Sequence, residues 1–184
     1  LAPAEQALLA PVDPAPMLAQ VLEWSALNTG TGNLAALAAQ AALLGDAFAA
    51  LPGTVTLEPP APVGAVAADG RAVAVEHGAH LVLRVRPQAE RRFLLTGHMD
   101  TVFPASHAFQ QPRWLDAATL NGPGVADMKG GIAVILAALT AFERSPAAAG
   151  VGYDVLINAD EETGSLSSAA LIAALARGKA AALT

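Results

Sequence analysis

The sequence predicts an α/β fold in which a central sheet is flanked by helices. Helix and strand patterns alternate through the second half of the chain, at residues 128–143, 153–158 and 167–177. Polar clusters also follow the predicted strands directly. In sheets of this kind the central strands are buried on both faces, and functional residues collect at the carboxyl ends of the strands. We therefore expect a site at those strand ends.

The first half of the chain predicts two helices followed by a series of strands. Apolar residues at helical spacing predict a helix over residues 17–27. Asn33 is the expected N-cap of a second helix, which ends at the Pro-Gly pair 52–53. Strand patterns follow at residues 54–58, 72–76, 81–85 and 93–96. We expect Arg84 and Arg86 to lie on the outward face of the strand 81–85.

The second half predicts a helix, a strand and a further helix. The turn-rich residues 121–124 lead into an apolar helix over residues 128–143. A strand at 153–158 and a helix at 167–177 follow it. Residues 180–184 resemble the first part of another strand.

Charge and composition exclude several classes of function. The chain has 184 residues with 16 acidic and 10 basic side chains, and its first 70 residues hold six of the acids but no Lys or Arg. Because there is no basic stripe, we expect no nucleic-acid partner. Cysteine is absent, which excludes disulfides, thiolate zinc sites and a cysteine nucleophile. The longest apolar stretch, residues 34–51, is interrupted by Gln40, Gly45 and Asp46, so we expect no membrane span.

The amino terminus shows no signal peptide, because the chain starts with Leu and no basic region precedes an apolar run. A start without Met leads us to expect that an upstream segment was removed. The compartment stays open between the cytoplasm, which we favour, and the periplasm, which a removed leader would imply.

Three polar clusters lie at strand ends or at a helix start, in residues 96–100, 122–131 and 158–165. Each has an ordinary structural explanation when it is taken alone. A lone His is more often structural than a ligand, Asp127 could be a helix N-cap, and an acidic turn is usually solvated. Together the clusters supply an imidazole and several carboxylates, the ligand set that suits zinc or a related divalent ion.

The spacing within two of the clusters indicates different tasks for neighbouring side chains. His98 and Asp100 are two residues apart, so the carboxylate can accept the second ring N–H of the imidazole and fix its tautomer. Glu161 and Glu162 are adjacent and point in opposite directions on an extended segment. One of them can bind metal while the other faces the substrate as a general base.

These clusters resemble the three signature blocks of the dinuclear zinc aminoacylase and carboxypeptidase family. That family includes glutamate carboxypeptidase, acetylornithine deacetylase and succinyl-diaminopimelate desuccinylase. The matching blocks, in the family's order and approximate spacing, are GHMDTVFP at 97–104, GPGVADMKGG at 122–131 and DEETGS at 160–165. The resemblance implies a mixed central sheet flanked by helices, as in a zinc-exopeptidase-like catalytic domain.

The resemblance also implies a role for each site residue. His98 would bind one metal, Asp127 would bridge two, and Glu162 would bind the other. Glu161 would be the general base and Asp100 would orient His98. The implied cofactors are two divalent ions, zinc first and cobalt or manganese as alternatives. The implied reaction is hydrolysis of an amide or peptide bond in a small acyl-amino acid or peptide.

The same resemblance predicts that the chain is incomplete. Residues 1–184 would be the amino-terminal part of the catalytic domain, without the inserted dimerisation or lid domain and without the carboxyl-terminal part. An acid in the strand that starts at 180–184 and a distal His would complete the two metals. His77, His80 and His107 lie outside that motif context, and we interpret them as ordinary polar residues. We expect an inactive fragment of a hydrolase that forms a homodimer at full length.

Two other interpretations stay open at this point. The chain could be a non-catalytic α/β module that keeps the motifs but works by binding or assembly. A mononuclear metal hydrolase is the third interpretation, and it would leave part of the ligand set unused. The residues TVFP at 101–104 resemble the glutamate carboxypeptidase branch of the family.

Overall fold

The computed structural model describes residues 1–184, apart from the side chain of Ala4. The α-helices are α1 (Pro3–Leu9), α2 (Pro14–Ala26), α3 (Leu34–Phe48), α4 (Gly130–Glu143) and α5 (Ala169–Ala176). The strands are β1 (Thr54–Glu58), β2 (Val63–Val66), β3 (Ala72–Val75), β4 (His80–Val85), β5 (Arg91–His98), β6 (Arg113–Trp114), β7 (Leu120–Asn121), β8 (Val151–Asn158) and β9 (Ala181–Leu183). Short turns of π or 3₁₀ type lie at Val125–Lys129, Pro146–Gly150 and Glu161–Thr163.

Five strands form one mixed sheet in the order β1-β4-β8-β5-β9. The β1–β4 and β4–β8 pairs are antiparallel, whereas β5 runs parallel to both β8 and β9. In the β5–β8 register, His98 at the end of one strand lies opposite Asn158 at the end of the other. The segments that follow these two strands therefore leave the sheet at the same edge.

Helices cover both faces of the sheet, and the strand alternation divides the core accordingly. In β4, Leu81 and Leu83 join the main cluster with α2, α3 and α4, whereas Val82 joins a smaller cluster with Leu94 and Leu175 of α5. β8 is buried along nearly all its length, as is typical of a central strand covered on both sides. Burial of each leucine stabilises the fold by about 1.5–3 kcal/mol, so the packed core holds the ends of the strands in place.

Capping residues set where the first helices begin. Asp13 accepts a hydrogen bond from the amide of Ala15 at 2.9 Å, so α2 begins three residues before the predicted helix 17–27. Asn33 caps α3, and its side chain accepts from the amide of Ala36 at 3.4 Å. The expected N-cap is therefore confirmed.

The strand predictions are confirmed within one or two residues at most ends, and the predicted strand at 180–184 is present as β9. The expectation for Arg86 is wrong because β4 ends at Val85 and Arg86 turns away with a φ of +46°. Its guanidinium pairs with Glu143 of α4 and donates to the carbonyl of Val151. Arg84 stays on the strand and pairs with Glu58 at 3.2 Å.

Among the described residues, one helical stretch, Val125–Glu143, is long and apolar enough to cross a membrane by length and composition alone. The same stretch contains the α4 helix, and its residues Ile132, Ala133 and Leu136 are buried in the main core cluster. Helices of this kind in folded cores pass the same test, so the stretch is weak evidence for a membrane span.

Candidate metal centre

Three segments meet at the edge of the sheet where β5 and β8 end. His98 is the last residue of β5, and Asp127 lies in the turn Val125–Lys129 before α4. Glu161 and Glu162 lie in the turn that follows β8. The backbone angles of Asp127 and Met128 are not helical, which is why α4 starts at Gly130 and not at residue 128. The Asp127 carboxylate consequently stands clear of the helix and reaches 2.9 Å from Nε2 of His98.

His98, Asp127 and Glu162 each offer a ligand atom, and these atoms all lie within 4.8 Å of one another. We call this group the ligand cluster. The His98 side chain is 5% exposed, whereas that of Asp127 is 76% exposed. The cluster therefore has a buried imidazole on one side and a solvent-facing carboxylate on the other, so that a small molecule can approach it.

Asp100 orients the His98 ring. Its Nδ1 lies 3.1 Å from the backbone oxygen of Asp100 and 3.4 Å from Oδ1 of the same residue. Both atoms are acceptors, so Nδ1 carries a hydrogen and Nε2 is the nitrogen that faces the ligand cluster. Metal-binding histidines are typically held in this way, with the second ring nitrogen donating to a carboxylate or a carbonyl.

Asp100 is fully buried, and its carboxylate connects three parts of the chain. Oδ1 accepts from the amide of Glu161 and Oδ2 from the amide of Glu162, both at 3.2 Å. Oδ2 also accepts from the Thr31 hydroxyl at 2.8 Å. The sequence did not predict the Thr31 contact, since residues 28–32 carried only the polar composition of an ordinary loop.

The two adjacent glutamates face different cavities. Glu161 is 52% exposed, has Oε2 at 3.9 Å from Nε2 of His98, and lines a cavity of 430 Å³ that also contains Thr184. Glu162 belongs to the ligand cluster and lines two other cavities, of 780 and 280 Å³. One carboxylate is thus placed to hold a cation, and the other lies beside it and faces open space.

A buried network holds the turn that carries both glutamates. Asp160 is fully buried and accepts from the amide and hydroxyl of Ser167, at 2.6 and 2.8 Å, and from the Ser168 hydroxyl at 2.7 Å. Burial raises the pKa of Asp160, but the hydrogen bonds from Ser168 and Ser167 outweigh it and leave the pKa below its ordinary value. Asp160 therefore stays ionised as a structural anchor.

His80 is part of this network and is fully buried, which is more than the ordinary polar role expected from the sequence. Its Nδ1 accepts from the amide of Ala159 at 3.2 Å, and its Nε2 lies 3.3 Å from the Ser167 hydroxyl. Burial lowers the pKa of His80, so the ring is neutral and supports the turn without adding charge to the site.

The pKa values of two residues in the ligand cluster are raised, which indicates that the site has an excess of negative charge. Burial lowers the pKa of His98, but hydrogen bonds to Asp100 and Asp127 and the charge of Glu161 outweigh it and raise the pKa to about 9. Burial also raises the pKa of Glu162, and the charge of Asp127 adds to the rise. Protons are held where a cation would replace them, so these residues fit a divalent metal ion.

Comparison with known proteins agrees with this chemistry. Residues 94–183 match the sequence profile of peptidase family M20/M25/M40. We call residues 94–183 the M20 segment because they are similar to this family. The M20 segment contains every residue of the ligand cluster, together with Asp100 and Glu161. The resemblance inferred from the three motif blocks is therefore confirmed at the level of the family.

One curated relative extends the likeness beyond the M20 segment, and a second matches about half of the chain. Carboxypeptidase G2 of Pseudomonas sp. (strain RS-16) is 33% identical over 146 residues, which cover 79% of this chain and 32% of that protein. Succinyl-diaminopimelate desuccinylase of Methylobacterium sp. (strain 4-46) is 37% identical over 92 residues, 47% of this chain and 23% of that protein. The chain thus spans a third or less of the length of these relatives.

Solved structures confirm the predicted fold class. Human carnosine dipeptidase 1 superposes with a TM-score of 0.68 over 91% of this chain and 37% of its own, at 17% identity. An M20 metallo-carboxypeptidase from Sulfolobus solfataricus superposes with a TM-score of 0.61 over 85% of this chain and 33% of its own, at 16% identity. At such identities the likeness shows a shared fold, a mixed sheet flanked by helices.

Proposed function

We propose that the whole protein is a metal-dependent hydrolase that cleaves an amide or peptide bond in a small acyl-amino acid or peptide. The observation that carries this proposal is the convergence of His98, Asp127 and Glu162 within 4.8 Å at the open edge of the sheet in an M20 segment. The names of the two curated relatives, a carboxypeptidase and a desuccinylase, support the same reaction class.

The ligand cluster is the proposed place of the metal. His98 and Glu162 would each serve one divalent ion, with Asp127 shared between them, and zinc suits this nitrogen and oxygen set, as do cobalt and manganese. Bound metal would acidify a water molecule and polarise the carbonyl of the scissile amide. The proposed count of two ions rests on the family resemblance and on the open position of the Asp127 carboxylate.

The chain's own side chains would carry the remaining steps. Glu161 is half exposed beside the ligand cluster, so its carboxylate can take the proton of the attacking water and return it to the leaving nitrogen. Asp100 keeps Nε2 of His98 directed at the cluster and holds the amides of Glu161 and Glu162 in register with it. The protein thus supplies orientation and a proton carrier.

We propose further that residues 1–184 alone do not turn over substrate. Among the described residues, one group of three His, Asp or Glu side chains could hold metal. A catalytic zinc ion typically has three protein ligands, so two ions that share this one group would both lack ligands. The remaining ligands and the dimer interface would come from the parts of the whole protein that its relatives carry beyond the matched third. Light scattering of the whole protein tests the homodimer.

Two measurements test the proposal. Calorimetric titration of the 184-residue chain with zinc should show stoichiometric uptake. The whole protein, loaded with zinc or cobalt, should hydrolyse members of a panel of acyl-amino acids and dipeptides. Absence of metal uptake by either length would refute the metal site and favour the non-catalytic binding module.

The base assignment has its own test in the whole protein. Glu161→Gln should abolish turnover while metal stays bound, because the side chain keeps its size but loses its basicity. Glu90→Gln is a matched control, since Glu90 is exposed and outside the ligand cluster. Full activity of E161Q would remove Glu161 from the mechanism.

A further inference from the structure

We infer that Thr31, in the loop between α2 and α3, is a positioning residue for the ligand cluster. Its hydroxyl holds the Asp100 carboxylate, and through it both the His98 ring and the turn of Glu161 and Glu162. The inference rests on the proposed metal site, and it adds a residue that lies outside the three motif blocks and outside the M20 segment.

The contacts of Asp100 show what Thr31 contributes. Oδ1 faces Nδ1 of His98 and the amide of Glu161, and Oδ2 faces the amide of Glu162. The Thr31 hydroxyl is the second partner of Oδ2 and, at 2.8 Å, is closer than the other three. Four contacts, two on each oxygen, thus fix the plane of the carboxylate.

Burial makes the Thr31 hydrogen bond consequential. Asp100 is fully buried, so its carboxylate depends on these protein donors, and loss of one leaves a buried acceptor without a partner. If the Thr31 hydroxyl is removed, the carboxylate can rotate away from His98 or from the Glu162 amide. Either movement misaligns a side chain of the ligand cluster, because a ring or a turn loses its support.

The loop itself does not depend on this hydrogen bond. The carbonyl of Thr29 accepts from the amide of Thr101 at 2.9 Å, and the Asn28 side chain donates to the carbonyl of Phe103 at 2.9 Å. Gly30 lies so close to Phe103 that a Cβ there would be 2.5 Å from that residue's backbone oxygen. The loop is therefore seated by its backbone, and loss of the Thr31 hydroxyl should act on the site without unfolding the loop.

Thr29 provides a matched control in the same loop. It is fully buried, and its hydroxyl has no hydrogen-bond partner among the described residues. Thr29→Val therefore removes a buried hydroxyl two positions away from Thr31 without touching Asp100. Thr31→Val removes the donor to Asp100, and Thr31→Ser keeps it.

The experiment titrates Co²⁺ into the 184-residue chain and its variants, following the visible absorption of bound cobalt, with zinc calorimetry in parallel. T31V should weaken metal binding by about 10-fold, the low end of the range typical when a direct partner of a metal ligand is lost, because Thr31 acts one contact further away through Asp100. T31S and T29V should bind like the wild type. The cobalt spectrum of T31V should also change, which a purely structural role would not produce.

The outcomes separate the two proposals. If neither the wild-type 184-residue chain nor the whole protein takes up metal, the proposed function fails; if only the whole protein binds metal, the same variants are compared in it. If the wild type binds and T31V binds as tightly as T29V, with the same spectrum, the positioning role of Thr31 is refuted. Should T31V fail to fold by circular dichroism, Thr31→Ala replaces it in the same comparison. In an Asp100→Ala background, which has no side-chain acceptor for Thr31, removal of the Thr31 hydroxyl should have no further effect on metal affinity, and a full additional loss would also overturn the inference.

Discussion

Lys129 lies in the same turn as Asp127, and its burial predicts that folding stability depends on pH. The residue is fully buried, and its ammonium group donates to the carbonyls of Trp24, at 2.8 Å, and Leu27, at 3.0 Å. These carbonyls lie at the end of α2, where a cation is favourable. No carboxylate neutralises it among its hydrogen-bond partners, and burial lowers its pKa from 10.5 to about 8.

The sign of the effect follows from proton binding. Between pH 8 and 10.5 the unfolded chain keeps the Lys129 proton while the folded chain releases it, so stability rises with pH across this window. Below pH 8 the folded state bears the full cost of the buried charge. At about 1.4 kcal/mol per pH unit, the window from pH 8 to 10.5 corresponds to about 3.5 kcal/mol, and the α2 carbonyls that accept from the ammonium group reduce the rise to about 3 kcal/mol or less.

The assay compares the wild-type chain with Lys129→Met, with chelator present, by urea unfolding at intervals from pH 7 to 10.5. Other titrating groups act equally in both proteins, so the difference in unfolding free energy isolates Lys129. That difference should shift in favour of the wild type by up to about 3 kcal/mol as the pH rises. A difference that stays constant across the range would refute the reasoning.

Three further predictions concern other parts of the fold. The pKa of His98 is raised from 6.5 to about 9 in the folded chain, so protonated His98 stabilises the metal-free protein fully below pH 6.5, and this contribution is lost as the pH rises through 9. Urea unfolding should show the loss in the wild type and not in His98→Gln. Gly30→Ala should destabilise the chain by about 1–3 kcal/mol because its Cβ would meet a backbone oxygen at 2.5 Å, whereas Gly32→Ala, with nothing within 4 Å, should be close to neutral. Lys179→Met should lower the free energy of unfolding by about 3–5 kcal/mol, because it leaves the carboxylate of Asp154 buried without its partner at 2.7 Å. Adding Asp154→Leu should recover much of that loss, and a double variant as unstable as Lys179→Met alone would contradict this explanation.

The main sheet was predictable because strand and helix signals are local. Alternation over five or six residues located β1 and β4, and capping by Asn33 located the start of α3. Three kinds of element escaped prediction, the first being β2, which directly follows a proline-rich stretch. α1 begins with Pro3 in its first turn, where proline favours a helix, but its seven residues are too few to show a clear helical period. β6 and β7 have two residues each, too few to show any period.

The candidate site was predictable only in part. The pair His98 and Asp100 could be related by spacing, since two residues are enough to bring a carboxylate back to a ring nitrogen. Thr31 and Asp100 are 69 positions apart, and no local pattern connects them. The same holds for the buried His80, which meets Ser167 across 87 positions. These contacts depend on how helices and loops pack around the finished sheet.

The sequence by itself determined which chemistry is available: one imidazole and several carboxylates at strand ends, and no thiol. The tertiary structure decided that His98, Asp127 and Glu162 lie within 4.8 Å, and which glutamate faces which cavity. The physical reason is range. Residue type and spacing act over a few positions, whereas a metal centre needs atoms a few ångströms apart, and here the parallel pairing of β5 with β8 brings them together.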